Sequence, residues 1–283
     1  MRTRIVAVKN TQKITSAMKM IAAARLRKAE ERAMMARPYA DRLQSFLDGF
    51  TISPENVPHP LAETRGTIRK RGLLLITSDR GLCGSYNGNI MREADNWLNA
   101  NERDNCLLYI IGKKGVNYYK RRGGNIKYSM LDIDQTINHK QIKEITDTLA
   151  ADFIAGEVDE VNVLYSKYVS PAVCKQTNIP LLPIRSAESA TEQKGPAADF
   201  IYQPSSEALL EILFPKYLYT RIITSLAESF ASEQGQRMVA MTNATDNAEE
   251  MVRLLTLKYN NARQTAITKE LLEIVGGAEA LEK

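Results

Sequence analysis

The sequence has few of the residue types from which enzymes and metalloproteins build their sites. It contains only two histidines, His59 and His139, and three cysteines far apart in the chain, Cys83, Cys106 and Cys174. Because no cysteine stands in a C-x-x-C or C-x-x-H pattern, the spacing argues against zinc or a disulfide framework and fits a reducing compartment. We therefore predict no catalytic residues, no metal ligands and no cofactor.

Long apolar runs are also lacking, and the charge is unevenly distributed. No run of about 18 apolar residues occurs, so we expect no membrane span. The net charge is +5, but residues 1–42 hold eleven Lys or Arg against three acids, a surplus of +8. This asymmetry suggests an acidic partner for the N-terminal segment. The composition of the first 29 residues also resembles a mitochondrial transit peptide, although the helical pattern continues beyond them.

Proline and glycine are scarce near the C-terminus. Proline is absent after Pro215, and Gly235 is the only glycine in the 60 residues of 216–275. An uninterrupted helical pattern of this length indicates a coiled coil, which needs a partner helix. We expect a short helix before Pro215, the long helix after it, and a stop at Gly276 and Gly277.

A second long helix is predicted near the N-terminus, over Thr3–Phe50, with a local kink at Pro38. Its apolar positions recur at alternating steps of 4 and 3 residues, which is the coiled-coil repeat. This seam consists of Ala22, Leu26, Ala29, Ala33, Ala36, Ala40, Leu43, Leu47 and Phe50. Its small alanines favour close approach of the partner helix.

Between two linker-like segments, Thr51–Arg71 and Ala187–Pro196, short apolar runs alternate with helical stretches. The predicted strands are Leu73–Thr77, Cys106–Ile111, Val161–Tyr165 and, more weakly, Leu181–Ile184. The predicted helices are Asn89–Asn99, Lys113–Arg121 and Gln141–Ala155. This alternation indicates a small α/β domain with a mostly parallel sheet.

The order of these segments predicts the architecture. The fold class is α/β plus a long antiparallel coiled coil: two terminal long helices with an inserted Rossmann-like α/β domain. The expected division is 1–53 for the first helix, 68–200 for the α/β domain and 205–283 for the second helix. Because the second helix is the longer, its last part, from about Arg253 to Val275, should project and expose apolar residues unless another protein encloses them.

Two further motifs have plain structural explanations. The glycine-rich stretch Ser78–Gly88 follows a strand and opens a helix, but it matches neither a P-loop nor G-x-G-x-x-G, so we interpret it as a structural turn. The basic first helix suggests nucleic-acid binding, yet no aromatic residue precedes Tyr39 and no base-reading motif occurs. A solvated or protein-facing charged surface is the better interpretation.

Five stretches resemble the gamma subunit of F-type ATP synthases. They are Val8–Arg25, Ala36–Ala40, Ile76–Asn87, Arg237–Ala248 and Ile267–Ala280. The last follows the family's I-T-x-E-x-x-E-x-x-x-G-A-x-A signature, and the resemblance covers nearly the whole chain. The cysteine-bearing loop of the photosynthetic, thiol-regulated version is lacking, so redox switching is not expected.

The resemblance implies a non-catalytic rotor shaft that couples proton-driven rotation of a membrane ring to ATP synthesis or hydrolysis. The implied partners are the alpha and beta subunits of the catalytic ring, the epsilon subunit and the membrane c-ring, with no nucleic acid. The implied location is peripheral, on the cytoplasmic face of the bacterial inner membrane. The residues implied to contact loops of the catalytic subunits are Arg237, Arg263, Gln264 and Thr268, with Met18 and Lys9 on the first helix.

Two other functions remain as alternatives at the level of sequence. One is an α/β enzyme whose long helices merely oligomerise it, and binding of a nucleotide by the isolated chain would favour that alternative. The other is a basic coiled-coil protein that binds nucleic acid with a steep salt dependence.

Overall fold

A computed structural model of the chain describes residues 1–48, 59–133, 138–185 and 206–281. Its helices and strands are α1 Arg2–Asp48, β1 Arg71–Ile76, α2 Tyr86–Ala100, β2 Cys106–Ile111, α3 Lys113–Lys120, β3 Ile126–Met130, α4 His139–Ile154, β4 Glu160–Tyr168, β5 Cys174–Leu182 and α5 Ser206–Leu281. Single 3-10 turns lie at Pro60–Ala62 and Arg103–Asn105. The chain divides into two compact units, Met1–Ala22 with Met238–Lys283, and Ala23–Arg237.

The five strands form one sheet in the order β3-β2-β1-β4-β5. Strand β1 pairs in parallel with β2 and β4, β2 pairs in parallel with β3, and β4 pairs with β5 in antiparallel fashion. This order is that of the first five strands of the dinucleotide-binding fold. The predicted fold class, a Rossmann-like α/β domain between two terminal long helices, is therefore confirmed.

The strands that are buried on both faces were predicted well, and the edge strands were not. Cys106–Ile111 is confirmed to the residue, and the runs beginning at Leu73 and Val161 correspond to β1 and β4. Strand β3 was missed, and the weak fourth strand lies at Cys174–Leu182 rather than at Leu181–Ile184. Both missed strands border the sheet, where about half of the side chains face water and the apolar signal is diluted.

The core of the α/β domain lies between the sheet and the helices that connect its parallel strands. Leu73, Leu75, Ile110 and Ile90 are fully buried in one apolar cluster. Helix α2 contributes one amphipathic face to this cluster, since its buried positions recur at helical spacing. This cluster holds the strands and helices that carry the polar contacts of this unit.

Both long helices are present, and α1 continues through Pro38. Seven of the nine seam positions are buried: Ala22, Leu26, Ala29, Ala33, Ala40, Leu43 and Leu47. Phe50 lies outside the described residues, as do the linker positions 51–58 and 187–196. The heptad pattern therefore identified the buried face of α1 from sequence alone.

The predicted break at Pro215 and the predicted stop at Gly276 and Gly277 were wrong. Helix α5 is continuous from Ser206 to Leu281, with Pro215 inside it. Leu210, Phe214 and Leu218 are fully buried on either side of this proline, and their packing offsets the lost backbone hydrogen bond. The glycines at 276 and 277 do not end the helix, because glycine weakens a helix by only about 1 kcal/mol per residue.

Candidate partner-contact site

The polar segment Ser232–Arg237 of α5 lies within the unit Ala23–Arg237 and is largely buried there. Ser232 is 1% exposed, Gln234 1% and Arg237 8%. Ser232 Oγ donates a hydrogen bond to the carbonyl oxygen of Ser166, 2.8 Å away. The resemblance implied that Arg237 contacts a catalytic subunit, but the chain itself uses Ser232, Gln236 and Arg237 to hold α5 against the α/β domain.

Arg237 is bonded on two sides by its own chain. Its Nη2 donates to the carbonyl oxygen of Gly81 at 3.3 Å, and its Nη1 lies 2.7 Å from Glu233 Oε1. Burial raises the pKa of the Glu233 carboxyl, and the charge of Arg237 only partly opposes this effect. The guanidinium thus compensates a buried carboxylate and ties α5 to the glycine-rich stretch.

The glycine-rich stretch Ser78–Gly88 joins β1 to α2 and satisfies its polar groups locally. Ser78 Oγ donates to the carbonyl oxygen of Arg80 at 2.6 Å, and Asn87 Nδ2 donates to Ser78 Oγ at 2.7 Å. The backbone has positive φ at Leu82 and Gly84, 60° and 57°. These bonds support the interpretation of this stretch as a structural turn.

A second ion pair, which the sequence did not single out, joins the two long helices inside the same unit. Arg37 Nε of α1 donates to Glu228 Oε1 of α5 at 2.7 Å, and Arg37 Nη2 donates to the carbonyl oxygen of Tyr168 at 3.1 Å. The Glu228 side chain is only 4% exposed. Burial and the neighbouring Glu228 charge raise the pKa of Tyr165. The only sequence signal was the Ala36–Ala40 stretch of the resemblance.

The other unit contains the predicted contact residues of α1, Lys9 and Met18. The helices pair there through the Thr245 hydroxyl, which donates to Thr15 Oγ1 at 2.8 Å. Lys9 is exposed and Met18 is half-buried. Nine residues are about two and a half helical turns, so these two side chains lie on opposite sides of α1. The structure does not bring them together.

The last part of α5 contains Arg263, Gln264 and Thr268, and all three are exposed. In the described chain, every residue from 261 to 275 is exposed, and we call this stretch the tip. Its exposed apolar residues are Ile267, Leu271, Leu272, Ile274 and Val275. The helical spacing places Gln264 and Thr268 on the same face as this apolar group, between its members, with Arg263 at one edge of that face. The tip therefore combines the polar and apolar features of an uncovered contact surface.

In the parts of the chain that the structure describes, no group of three or more His, Cys, Asp or Glu is placed to hold a metal ion. Among the described helices, none has a stretch long and apolar enough to cross a membrane.

Comparisons with known proteins identify the family of this chain. The family model described as ATP synthase matches residues 1–281. The ATP synthase gamma chain of Heliobacterium modesticaldum is 44% identical over 283 residues, covering 98% of this chain and 97% of that protein. The gamma chain of Chloroherpeton thalassium is 40% identical over 295 residues, covering 100% of this chain and 97% of that protein.

Two solved structures of similar fold are chains of mitochondrial ATP synthases. A chain of the central stalk and c-ring structure from Tetrahymena thermophila has a TM-score of 0.62 and 26% identity, covering 82% of this chain and 99% of that one. A chain from the Euglena gracilis enzyme has a TM-score of 0.72 and 19% identity, covering 99% and 93%. The second similarity concerns the fold alone.

The fold and the sequence matches together define a subunit of an ATP synthase. The chain belongs to the ATP synthase gamma chain family. It is a stalk subunit of the rotor, a component of a membrane-associated complex, and it does not itself catalyse the reaction. Family membership also decides against the alternative of an independent α/β enzyme, and it favours a stalk subunit over a nucleic-acid binder.

Proposed function

We propose that this chain transmits torque between a proton-driven membrane ring and the catalytic subunits of the ATP synthase. Its partners would be the alpha and beta subunits, the epsilon subunit and the membrane c-ring, at the cytoplasmic face of the bacterial inner membrane. Family membership supports this proposal, as does the similarity to a chain from a structure that contains a central stalk and a c-ring. The domain division 1–53, 68–200 and 205–283 belongs to the same proposal.

The observation that carries the proposal is the exposed tip of α5. A helix that is exposed all round is marginal in water, and this one exposes large apolar side chains such as Leu272 at 67% and Ile274 at 68%. Exposed apolar surface of this kind marks a protein interface. A sleeve formed by the catalytic ring would cover every face of such a helix.

The polar residues of the tip are the contacts that we assign to the catalytic subunits. Arg263, Gln264 and Thr268 are exposed and available for hydrogen bonds that change with rotation angle. Lys9 and Met18 remain proposed contacts of α1. Arg237 also remains in the set, but a partner would share its guanidinium, which has more N–H groups than the chain's own contacts use.

The test is the variant Arg263→Ala in the assembled complex, reconstituted in vesicles. Because a hydrogen bond to a charged group contributes about 1.5–3 kcal/mol, its loss is expected to lower proton-driven ATP synthesis roughly tenfold. Since Arg263 is exposed, the thermal unfolding of the isolated variant should match that of the wild type.

Lys269→Ala is the matched control for this experiment. Lys269 is a cation on the same tip, but it faces away from Gln264 and Thr268 and lies 3.7 Å from Glu273. Its replacement is expected to change synthesis far less. Equal synthesis by the wild type and Arg263→Ala would contradict the assignment of Arg263, and purification of the chain without larger subunits would contradict the proposed function.

A further inference from the structure

Helix α5 takes the place of a neighbouring strand beside the outer part of β4. Strand β1 pairs with β4 only as far as Leu75 opposite Leu164, whereas β4 continues to Tyr168. Beyond the end of β1, the Ser166 amide donates to Ser229 Oγ at 3.3 Å. The Ser166 carbonyl oxygen accepts from Ser232 Oγ at 2.8 Å. Two serines three residues apart on one helical face thus satisfy both backbone groups of one strand residue.

Other side chains of the two long helices bond backbone oxygens of the same α/β domain. These bonds are Arg37 Nη2 to Tyr168 O at 3.1 Å, Gln236 Nε2 to Ala172 O at 2.7 Å, and Arg237 Nη2 to Gly81 O at 3.3 Å. The acceptors belong to β4, to the turn that follows it and to the glycine-rich stretch. The backbone contacts therefore come from separate parts of the domain.

The helix also approaches this turn at a position where only glycine fits. A Cβ atom at Gly235 would lie 2.9 Å from both the Cα and the carbonyl oxygen of Pro171. Backbone atoms cannot yield as a flexible side chain does, so the contact fixes the distance between α5 and the turn.

These contacts select one position of α5 along and around its axis. Apolar contacts are non-directional, and a helix that is held by them alone can shift against its support. A shift of one turn here would remove both serine hydroxyls from Ser166, which is fully buried. It would also part Arg37 from Glu228, whose side chain is 4% exposed. A buried group that loses its partner is costly, so the shifted positions are disfavoured.

We propose that Arg37, Ser229, Ser232, Gln236 and Arg237 form a backbone clamp that locks α5 to the sheet, so that torque passes between them without slip. The five are positioning residues, because they act by holding the helix rather than by touching a substrate. The inference rests on the proposed function, since a clamp against rotation matters only in a chain that transmits torque.

The first test is the double variant Ser229→Ala/Ser232→Ala in the reconstituted complex. ATP hydrolysis and proton-driven ATP synthesis are measured on the same preparation, together with the angular fluctuation of a bead attached to the α/β domain. We expect the ratio of synthesis to hydrolysis to fall roughly fivefold, because two hydrogen bonds of the clamp are lost. The angular fluctuation should broaden at temperatures well below the unfolding transition, which a purely structural role would not produce.

Thr220→Val is the matched control, because the Thr220 hydroxyl is also buried in α5 but donates within the helix, to Lys216 O at 2.7 Å. It should behave as the wild type. A double variant with the same ratio and the same fluctuation as this control would overturn the clamp.

A second measurement needs no variant and decides the matter if the double variant does not assemble. Amide hydrogen exchange on the wild-type full chain should show the Ser166 amide protected nearly as well as that of Leu164 in the centre of β4. Exchange at Ser166 as fast as in the turn 170–173 would overturn the clamp. Failure of the wild-type complex to make ATP from a proton gradient would instead contradict the proposed function, and the exchange result would stand apart from it.

Discussion

Asp159 and Glu233 are carboxylates paired with an arginine, yet their pKa values move in opposite directions. Burial pushes the pKa of Asp159 up, but hydrogen bonds from Arg65 and from the Lys70 and Arg69 amides outweigh it, so the net shift is downward. Glu233 is more deeply buried and its pKa is raised, because Arg237 compensates burial only in part. The sign of each shift is therefore decided by the balance between burial and the number of donors, and not by the presence of an arginine alone.

The variant Asp159→Asn is expected to lower the free energy of unfolding by about 2 kcal/mol at pH 7, since it weakens three charge-assisted hydrogen bonds. Because the folded-state pKa of Asp159 is depressed, its stabilising effect is present above the ordinary value of 3.8 and is lost as the pH falls through the folded value. Urea unfolding should therefore show a difference between the variant and the wild type that shrinks in acid.

Asp147→Asn is the control for this comparison. Asp147 is an exposed carboxylate paired with Lys143 one helical turn away, at 3.9 Å. Exposed pairs of this kind contribute about 0.3–0.5 kcal/mol, so its replacement should have little effect. A difference for Asp159→Asn that stayed constant down to strongly acidic pH would contradict the assigned shift.

At the scale of helices and strands, the sequence predicted what periodicity encodes and missed what tertiary contacts decide. The seam of α1 and the fully buried strand β2 follow from spacing alone. Strand β3 does alternate, with Ile126, Tyr128 and Met130, but it is short and lies at the edge of the sheet. The continuity of α5 through Pro215 depends on packing of Phe214 and Leu218 against residues distant in sequence, which no local rule contains.

The candidate site shows the same division between local and distant information. The exposed tip was predicted, because the second long helix is longer than the first and its end lacks a partner helix. The burial of Ser232–Arg237 was not, since a polar stretch normally indicates solvent. Its hydrogen-bond acceptors, Ser166, Ala172 and Gly81, are far away in the sequence, and their carbonyl oxygens have no residue-specific signature.

The variant Gly235→Ala tests the close approach of α5 to the turn after β4. Its Cβ would lie 2.9 Å from the Pro171 backbone, and overpacking of this kind costs about 1–3 kcal/mol, which exceeds the gain in helix propensity of up to about 1 kcal/mol. We expect a lower melting temperature of the isolated chain.

Gly88→Ala provides the comparison, because Gly88 lies in α2 with no atom within 4 Å of the added Cβ. This replacement should raise the melting temperature or leave it unchanged. Equal melting temperatures for the two alanine variants would show that the close contact at Pro171 does not affect stability.

At the scale of the whole molecule, the order of segments was the most predictable feature. Two proline-poor helical patterns at opposite ends and an α/β pattern between them are sufficient to predict the inserted domain, and the sheet order confirms its type. The tip was expected from about residue 253, whereas continuous exposure begins at residue 261. Val252, Leu255 and Tyr259 remain half-buried in the unit formed by the ends of the chain.

Limited proteolysis compares the tip with the rest of the chain. Trypsin should cleave the free full-length chain after Arg263 and Lys269 well before it cleaves after Arg237, since an unsupported helical end opens more readily than a buried segment. In the assembled complex the tip sites should be protected. Cleavage after Arg237 as early as after Arg263, or unchanged cleavage of the tip on assembly, would contradict the proposed enclosure.

The exposed tip has a consequence for the life of the protein before assembly. An unaccompanied chain displays apolar helical turns that cellular chaperones and proteases bind, while a chain inside its partners displays none of them. The same residues that would contact the catalytic subunits in the assembled complex thus make each unassembled copy a target for chaperones and proteases. If the proposed enclosure holds, the amount of free stalk in the cell would be limited to what the available rings can enclose.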